Sequence, residues 1–126
     1  MLSRISCNET PEFQKDFKKL VKKFRTLEED LELAKAAAIE LYHIKEINNL
    51  SVFPIPDFCN EDVQVFKIKK FACKALKGRG SKSGIRIIYA FYYRSCKVDF
   101  IEMYFKGEKD NEDRERIKNY LKNAIA

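Results

Sequence analysis

One stretch of the sequence combines basic residues with strand-forming ones and limits what the chain can fold into. The 36 positions from Val63 to Val98 contain no aspartate or glutamate, and they include aromatic and β-branched residues such as Phe66, Ile68 and Tyr89. A disordered basic tail would lack such residues, so the stretch is expected to form a charged surface of a folded domain. Its ten basic residues are Lys67, Lys69, Lys70, Lys74, Lys77, Arg79, Lys82, Arg86, Arg94 and Lys97.

The positive charge is concentrated in one half of the chain. Residues 1–62 contain 9 basic and 12 acidic side chains, whereas residues 63–126 contain 16 basic and 7 acidic ones. Exposed lysines can simply prevent edge strands from pairing, but a surface that serves only solubility normally mixes both signs. The acid-free stretch therefore favours binding to a polyanion, in particular a nucleic acid.

Length and composition predict one globular domain that covers residues 1–126. Hydrophobic residues make up 45% of the chain, as in globular proteins. The first ten residues lack the continuous apolar core of a signal peptide. No apolar run approaches the roughly 20 residues that cross a bilayer. We therefore expect a cytoplasmic protein that makes no membrane contact.

The cysteines and the histidine do not form a metal-binding pattern. Cys7, Cys59, Cys73 and Cys96 include no C-x-x-C pair, and His43 is the one histidine. No metal site is expected from this spacing, and no cofactor is expected either. The thiols are expected to be reduced, some of them in the core. His43 is expected to cap a helix or to lie on the surface.

Two helices are predicted in the first third of the chain. Thr10 and Pro11 offer an N-cap and a first-turn proline, and apolar residues at helical spacing follow them. Thr26 and Glu29 form a capping-box pattern for a second helix that is expected to end at about residue 43. Because almost no linker separates the two helices, they are expected to form an antiparallel hairpin.

The remaining elements are strands and a last helix. Period-2 alternation predicts strands at Leu2–Cys7, Val63–Cys73, Ile85–Tyr93 and Lys97–Phe105. Residues 48–62, with Pro54 and Pro56, are expected to form a loop. Residues 78–84 are glycine-rich but match no Walker sequence, so they predict a hairpin connection. A last helix is expected after an N-cap at Asp110 or Asn111. This order predicts an α+β domain with a helical hairpin on one face of a mainly antiparallel sheet.

Strand alternation assigns the basic side chains to faces of the sheet. Lys67 and Lys69 are expected on one face, about 7 Å apart, while Phe66 and Ile68 point to the other. Arg86, on the neighbouring strand, joins the two lysines if the register is right. Further contacts to a nucleic-acid backbone are expected from Lys70, Lys74, Lys77, Arg79 and Lys82.

These segments resemble the RelE/ParE toxin superfamily. The resemblance is carried by Val65–Lys69, Gly84–Tyr89, Phe100–Lys106 and the helix start Asn111–Ile117. It spans nearly the whole chain and is most specific from Val63 to Leu121. It implies a small RelE-like α+β fold.

The resemblance also implies a toxin of a type II toxin–antitoxin system. RelE-like members are endoribonucleases, many of which cleave messenger RNA on the ribosome, and a co-expressed antitoxin protein neutralises them. Catalytic positions are implied at Lys67, Lys69, Arg86, Tyr104 and Lys106. Lys67 and Lys69 would lie on the strand that frames the cleavage site, and Arg86 would bind the scissile phosphate. Tyr104 would stack on a base or transfer a proton, and Lys106 would be a second basic group.

The implied reaction needs no metal or cofactor, because the 2′-hydroxyl of RNA can attack the adjacent phosphate when it is aligned and charge is neutralised. A lysine can act as the base only if burial and neighbouring cations lower its pKa. Phe105 stands where many relatives carry a histidine. Two alternatives therefore remain open: a non-catalytic nucleic-acid-binding or interaction module of the same fold, and a ParE-like gyrase inhibitor.

Overall fold

The computed structural model describes residues 5–47, 50–76 and 83–125. The helices are α1 (Pro11–Lys23), α2 (Leu27–Ala34), α3 (Leu41–His43) and α4 (Arg114–Ile125), and a π-helical segment, Lys35–Glu40, joins α2 to α3. The strands are β1 (Ser6–Glu9), β2 (Val52–Cys59), β3 (Val63–Ile68), β4 (Ile85–Tyr92) and β5 (Lys97–Phe105). Within these described ranges, no helix is long and apolar enough to cross a membrane.

The strands form one sheet in the order β1-β5-β4-β3-β2. β1 runs parallel to β5, and the other neighbouring strands are antiparallel. The predicted α+β class and the mainly antiparallel sheet are therefore confirmed. The first strand differs in its bounds, because it ends at Glu9 rather than Cys7. Leu2, where that strand was expected to begin, lies outside the described residues.

The loop predicted for residues 48–62 is wrong, because this segment contains strand β2. β2 lies at the edge of the sheet, where a proline is tolerated because one side of the backbone has no partner strand. Phe53 lies opposite Lys67, and the register is interrupted between Pro54 and Cys59. The prolines that predicted a loop therefore mark an irregular edge strand.

Strand β3 is shorter than predicted and ends at Ile68 rather than Cys73. Further along this segment, the backbone at Lys74 is held by a buried carboxylate. Asp30 on α2 is 2% exposed, and its Oδ2 accepts a hydrogen bond from the backbone N–H of Lys74 at 3.2 Å. This contact ties the segment after β3 to the helices.

The helix ends match the predicted caps only in part. Thr10 caps α1 as predicted, since its Oγ1 accepts a hydrogen bond from the backbone N–H of Phe13 at 3.2 Å. The predicted capping box at Thr26 is wrong, because this hydroxyl donates to Asp30 Oδ2 at 2.7 Å. The N-cap of α4 is Asp113, which accepts a hydrogen bond from a backbone N–H of the first turn, rather than residue 110 or 111.

The sheet separates two hydrophobic clusters. The helix face, which is the side covered by α1 and α2, includes Phe13, Leu27, Phe66, Ile68, Ile87, Tyr89 and Phe100. The opposite side, here called the α4 face, includes Val63, Val65, Ile88, Ala90, Ile101, Tyr104 and Ile117. Lys69 is exposed and Arg86 is half-buried, so the end of β4 that carries Arg86 is accessible to a ligand.

Candidate functional site

The register of the central strands brings the predicted site residues together. Arg86 on β4 lies opposite Tyr104 on β5. The β3–β4 ladder ends one residue before Lys69, which places Lys69 beside Arg86. Lys67 lies on the same face, since its Nζ is 5.6 Å from the centroid of the Tyr104 ring. We call these four residues the basic row: Lys67, Lys69, Arg86 and Tyr104.

Arg86 is oriented by the backbone of the neighbouring strand. Its Nη1 donates a hydrogen bond to the carbonyl oxygen of Lys69 at 2.7 Å. Among the described residues no carboxylate pairs with Arg86. Because a guanidinium has five N–H donors in one plane, the donors of Arg86 that this contact leaves free can bind phosphate oxygens.

Lys67 forms a close ion pair with an acidic residue that precedes α4. Its Nζ lies 2.7 Å from Oε1 of Glu112, and each side chain is 13% exposed. Burial, the largest single effect, would lower the pKa of Lys67, but its contacts with Glu112 and Tyr104 together outweigh it and raise the pKa. The condition for a lysine base, a lowered pKa, is therefore not met at Lys67 in this state.

Tyr104 has a buried hydroxyl that lacks a hydrogen-bond partner among the described residues. The residue is 4% exposed, and within the described part of the chain its Oη makes no hydrogen bond. Two amines lie near its ring, with Lys109 Nζ 5.7 Å and Lys67 Nζ 5.6 Å from the centroid. An unsatisfied buried hydroxyl costs about 1–3 kcal/mol, so this group is a candidate for contact with a ligand.

Lys69 and Lys106 are exposed near these residues. Lys69 Nζ lies 4.7 Å from the centroid of the Phe53 ring on β2. Lys106 directly follows β5, and its backbone N–H donates to the carbonyl oxygen of Gly84 at 2.8 Å. Neither amine has an ion-pair partner in the described ranges, so both can contact a phosphate.

Phe105 faces away from the basic row. Its ring packs on Phe24 with 5.0 Å between centroids, and Lys23 Nζ lies 4.9 Å above it. Phe105 thus joins the cluster of the helix face, whereas Tyr104 belongs to the cluster of the α4 face. The side chain at position 105 is therefore on the opposite side of the sheet from Arg86.

Of the five residues predicted to bind the nucleic-acid backbone, two lie among the described residues. Lys77, Arg79 and Lys82 lie outside the described residues. Lys70 and Lys74 are exposed, but they line a groove beside α2 together with Leu33. Lys74 Nζ also pairs with Glu29 at 3.2 Å. The structure therefore does not bring these two lysines to the basic row.

Two acidic residues of this face were absent from the predicted site. Glu102 on β5 is 1% exposed, forms an ion pair with Lys109, and accepts a hydrogen bond from the backbone N–H of Asp113 at 2.8 Å. Because side chains alternate between faces along a strand, Glu102 could have been predicted to share the face of Tyr104, two residues further along β5. Glu112 gives no such local signal, because its partner Lys67 comes from a distant strand.

A second basic surface lies on α1. Its apolar side, with Phe13 and Leu20, packs on the helix face. Its exposed lysines are Lys15, Lys18, Lys19, Lys22 and Lys23. Among the described residues only Lys23 has an ion-pair partner, Glu108 at 3.7 Å. The charge counts of the two parts of the chain did not predict this surface, because α1 belongs to residues 1–62, which contain more acidic than basic side chains.

His43 is neither a cap nor a surface residue, which corrects the prediction. Its Nε2 is 2.7 Å from the hydroxyl oxygen of Tyr89, and its ring stacks on Phe91 with 4.0 Å between centroids. Rings of Tyr42 and Phe66 pack edge-on against it. Burial lowers the pKa of His43 to about 4, so the imidazole is neutral at pH 7.

Other chemistry-bearing groups lie apart from the basic row. In the part of the chain that the structure describes, no group of histidine, cysteine, aspartate and glutamate side chains could hold a metal ion. All four cysteines are free, with Cys73 buried and Cys59 exposed. A cavity of about 750 Å³ between the start of α1 and α4 is lined by Asp99, Arg116 and Tyr120, among others, and by none of the basic row.

Comparison with known proteins identifies the fold. No protein-family model matches the sequence, and no curated protein matches it. The structure is similar to a chain of the crystal structure of the archaeal RelE-RelB complex from Pyrococcus horikoshii OT3, with a TM-score of 0.50 and 11% sequence identity. The likeness covers 83% of this chain and 98% of the matched one. The chain therefore has a RelE-like fold, as the resemblance implied.

Proposed function

We propose that this chain is the toxin of a type II toxin–antitoxin system, a single domain over residues 1–126 that cleaves messenger RNA in the cytoplasm. The observation that carries the proposal is the basic row, in which Arg86 and Tyr104 are paired residues of neighbouring strands and the Tyr104 hydroxyl has no hydrogen-bond partner among the described residues. An oriented guanidinium and a hydroxyl donor on the same face suit a phosphodiester.

In this proposal the RNA supplies its own nucleophile. The 2′-hydroxyl attacks the adjacent phosphorus atom and loses its proton to solvent water, and the bond to the 5′-oxygen breaks to leave a 2′,3′-cyclic phosphate and a free 5′-hydroxyl. Arg86 neutralises the charge that develops on the phosphate oxygens, and the Tyr104 hydroxyl donates to one of them. Lys69 and Lys106 bind the flanking backbone as exposed cations.

Lys67 is assigned a charged role rather than a basic one. Because its pKa is raised, it is protonated at neutral pH and can donate a proton to the leaving 5′-oxygen or stabilise its negative charge. A base for the 2′-hydroxyl is then not supplied by Lys67. Alignment and charge neutralisation provide the proposed acceleration.

The proposed partners are an antitoxin protein and the ribosome. The similar archaeal chain was crystallised as part of a RelE-RelB complex, which supports an antitoxin partner. The two basic surfaces, the row on the α4 face and the lysines of α1 on the helix face, support contact with more than one RNA segment.

A non-catalytic RNA-binding module is the second candidate. It is favoured by one specific observation, the ion pair of Lys67 with Glu112 at 2.7 Å, which raises the pKa of Lys67 and leaves the 2′-hydroxyl without an evident base. Binding by such a module would use the same cations and would weaken with salt in the same way.

Expression of wild type and Arg86→Ala in a bacterial host tests the proposal. We expect growth arrest and new messenger RNA ends, mapped by primer extension, with wild type and not with the variant. Equal arrest by both proteins would contradict the role of Arg86. Salt-sensitive RNA binding without cleavage by purified protein and ribosomes would support the binding module, and DNA damage without RNA fragments would indicate a gyrase inhibitor.

A further inference from the structure

Glu112 is paired with the Lys67 amine, which the proposed function assigns to contact with RNA. It lies between β5 and α4, in residues 106–113, which form neither helix nor strand. Its Oε1 is 2.7 Å from Lys67 Nζ, and the two side chains are equally buried. We propose that Glu112 is an internal anion of the binding site, which a phosphate must displace to reach Lys67. This inference rests on the proposed function.

The contact reduces what Lys67 can offer to a ligand. An ammonium group has three donors, and one of them points at a carboxylate at charge-assisted hydrogen-bond distance. The carboxylate also cancels the local positive charge next to Tyr104 and repels an incoming phosphate. In the ligand-free chain the basic row is therefore less attractive to RNA than its sequence suggests.

Neighbouring contacts hold Glu112 in this position. The backbone N–H of Asp113 donates to the buried carboxylate of Glu102 at 2.8 Å, and Lys109 pairs with the same carboxylate. These anchors lie on both sides of Glu112 and fix the segment against the sheet. Apart from Lys67, the contacts of the Glu112 carboxylate among the described residues are its own backbone N–H and Arg114, whose Nη1 is 3.7 Å from the other oxygen.

An RNA backbone can compete with Glu112 through several contacts at once. It can reach Arg86 as well as Lys67, which lie on the same face of neighbouring strands, whereas Glu112 pairs with Lys67 and, weakly, with Arg114. The released carboxylate has an alternative partner in Arg114, which is half-exposed. Displacement therefore favours ligands that reach the whole basic row over single anions such as inorganic phosphate.

The test measures binding to an RNA that cannot be cleaved. A single-stranded oligonucleotide with 2′-O-methyl groups is titrated by fluorescence anisotropy with wild type, Glu112→Gln and Glu115→Gln. Glu115 is the charge-matched control, because it is exposed on the first turn of α4 and forms no ion pair among the described residues. We expect Glu112→Gln to bind about fivefold to tenfold more tightly than Glu115→Gln, the effect of one charge-assisted contact.

The same titration in Lys67→Gln protein distinguishes release of the Lys67 amine from a general effect of removing one negative charge. In Lys67→Gln protein the Glu112→Gln substitution should no longer raise affinity beyond its control, because the amine to be released is absent. Thermal unfolding of each variant confirms that it is folded. If Glu112→Gln binds no more tightly than Glu115→Gln, or binds more tightly to the same extent without Lys67, the proposal is overturned.

Cleavage is measured separately, on an unmodified RNA with ribosomes. Tighter binding by Glu112→Gln without cleavage by any variant would support the role of Glu112 while contradicting the nuclease. Unchanged binding with slower cleavage would make Glu112 a catalytic residue and overturn its role as a competitor. If neither wild type nor Glu112→Gln binds the oligonucleotide, both proposals fail.

Discussion

The Arg86 guanidinium donates a hydrogen bond to the backbone carbonyl of Lys69 at 2.7 Å, one residue beyond the last β3–β4 pair, Ile68 and Ile87. Arg86 therefore has two separable properties: the positive charge of its guanidinium and the orientation that this hydrogen bond fixes. Lysine retains the charge but lacks the planar fork that holds phosphate oxygens bidentately.

We therefore expect Arg86→Lys and Arg86→Ala to differ in degree. Loss of one oriented donor at a developing charge costs about 10²–10³ in rate, so Arg86→Ala should lose at least about 100-fold in single-turnover cleavage. Arg86→Lys should recover part of that loss, because the charge remains. Wild-type rates for Arg86→Lys would show that orientation by Lys69 is not needed, and urea unfolding of both variants serves as the folding control.

Tyr104→Phe should separate stability from function. The Tyr104 hydroxyl is buried without a hydrogen bond among the described residues, so its removal should leave the free energy of unfolding unchanged or raise it by up to about 1–3 kcal/mol. If the hydroxyl contacts the phosphate, the cleavage rate should fall about tenfold or more.

Tyr89→Phe is the matched control for that substitution. The Tyr89 hydroxyl is bonded to His43 at 2.7 Å on the helix face, so its loss should destabilise the protein by about 1 kcal/mol. RNA cleavage by the folded fraction should be unchanged. Equal stability losses in the two variants would contradict the assignment of Tyr104 as a hydroxyl without a partner.

The lysines of α1 provide a test of the second basic surface. Lys18 and Lys22 are exposed on α1, one turn apart, and Lys118 and Lys122 have the same spacing and exposure on α4. We expect the double substitution of the α1 pair by glutamine to weaken binding to structured RNA and to reduce the salt slope by about two, one unit for each lost phosphate contact. The α4 pair should have the smaller effect, and the reverse order would contradict a role for α1.

Local patterns predicted the faces of the strands but not which strands meet. Alternation placed Lys67 and Lys69 on one side of β3 because the period of a strand is a local property. Whether Arg86 would join them depended on register, which residues far along the chain decide. Glu112 is a clearer case, since nothing in its own segment indicates that Lys67 is its partner.

The errors in the fold have the same origin. Pro54 and Pro56 predicted a loop because local sequence does not say that β2 would be an edge strand, where proline is tolerated. His43 was assigned to a cap because its stacking partner Phe91 and its hydrogen-bond partner Tyr89 both come from β4. In each case contacts with distant parts of the chain decided the structural role of the residue.

Asp30 should contribute strongly to stability although it is charged. It is buried and accepts hydrogen bonds from Thr26 and from the backbone N–H of Lys74. Asp30→Ala removes both contacts and should cost about 2–4 kcal/mol in the free energy of unfolding, measured with urea. Glu29→Ala is the control: its ion pair with Lys74 is exposed, so we expect a change of at most about 1 kcal/mol.

His43 should make stability depend on pH in the acidic range. Burial lowers its folded-state pKa from 6.5 to about 4, so between these values the unfolded chain binds a proton that the folded chain does not. The stabilisation is complete above pH 6.5 and is lost as pH falls toward 4, by up to about 3 kcal/mol. Urea unfolding at a series of pH values measures it.

The contribution of His43 is isolated by comparison with His43→Gln, since other carboxylates also titrate in this range. Glutamine can still bond to the Tyr89 hydroxyl but takes up no proton. The difference in unfolding free energy between the two proteins should therefore shrink steadily from pH 7 to pH 4, because only wild type loses stability through this group. A difference that stays constant over that range would mean that the imidazole protonates equally easily in the folded and unfolded chains, contrary to its burial against Phe91.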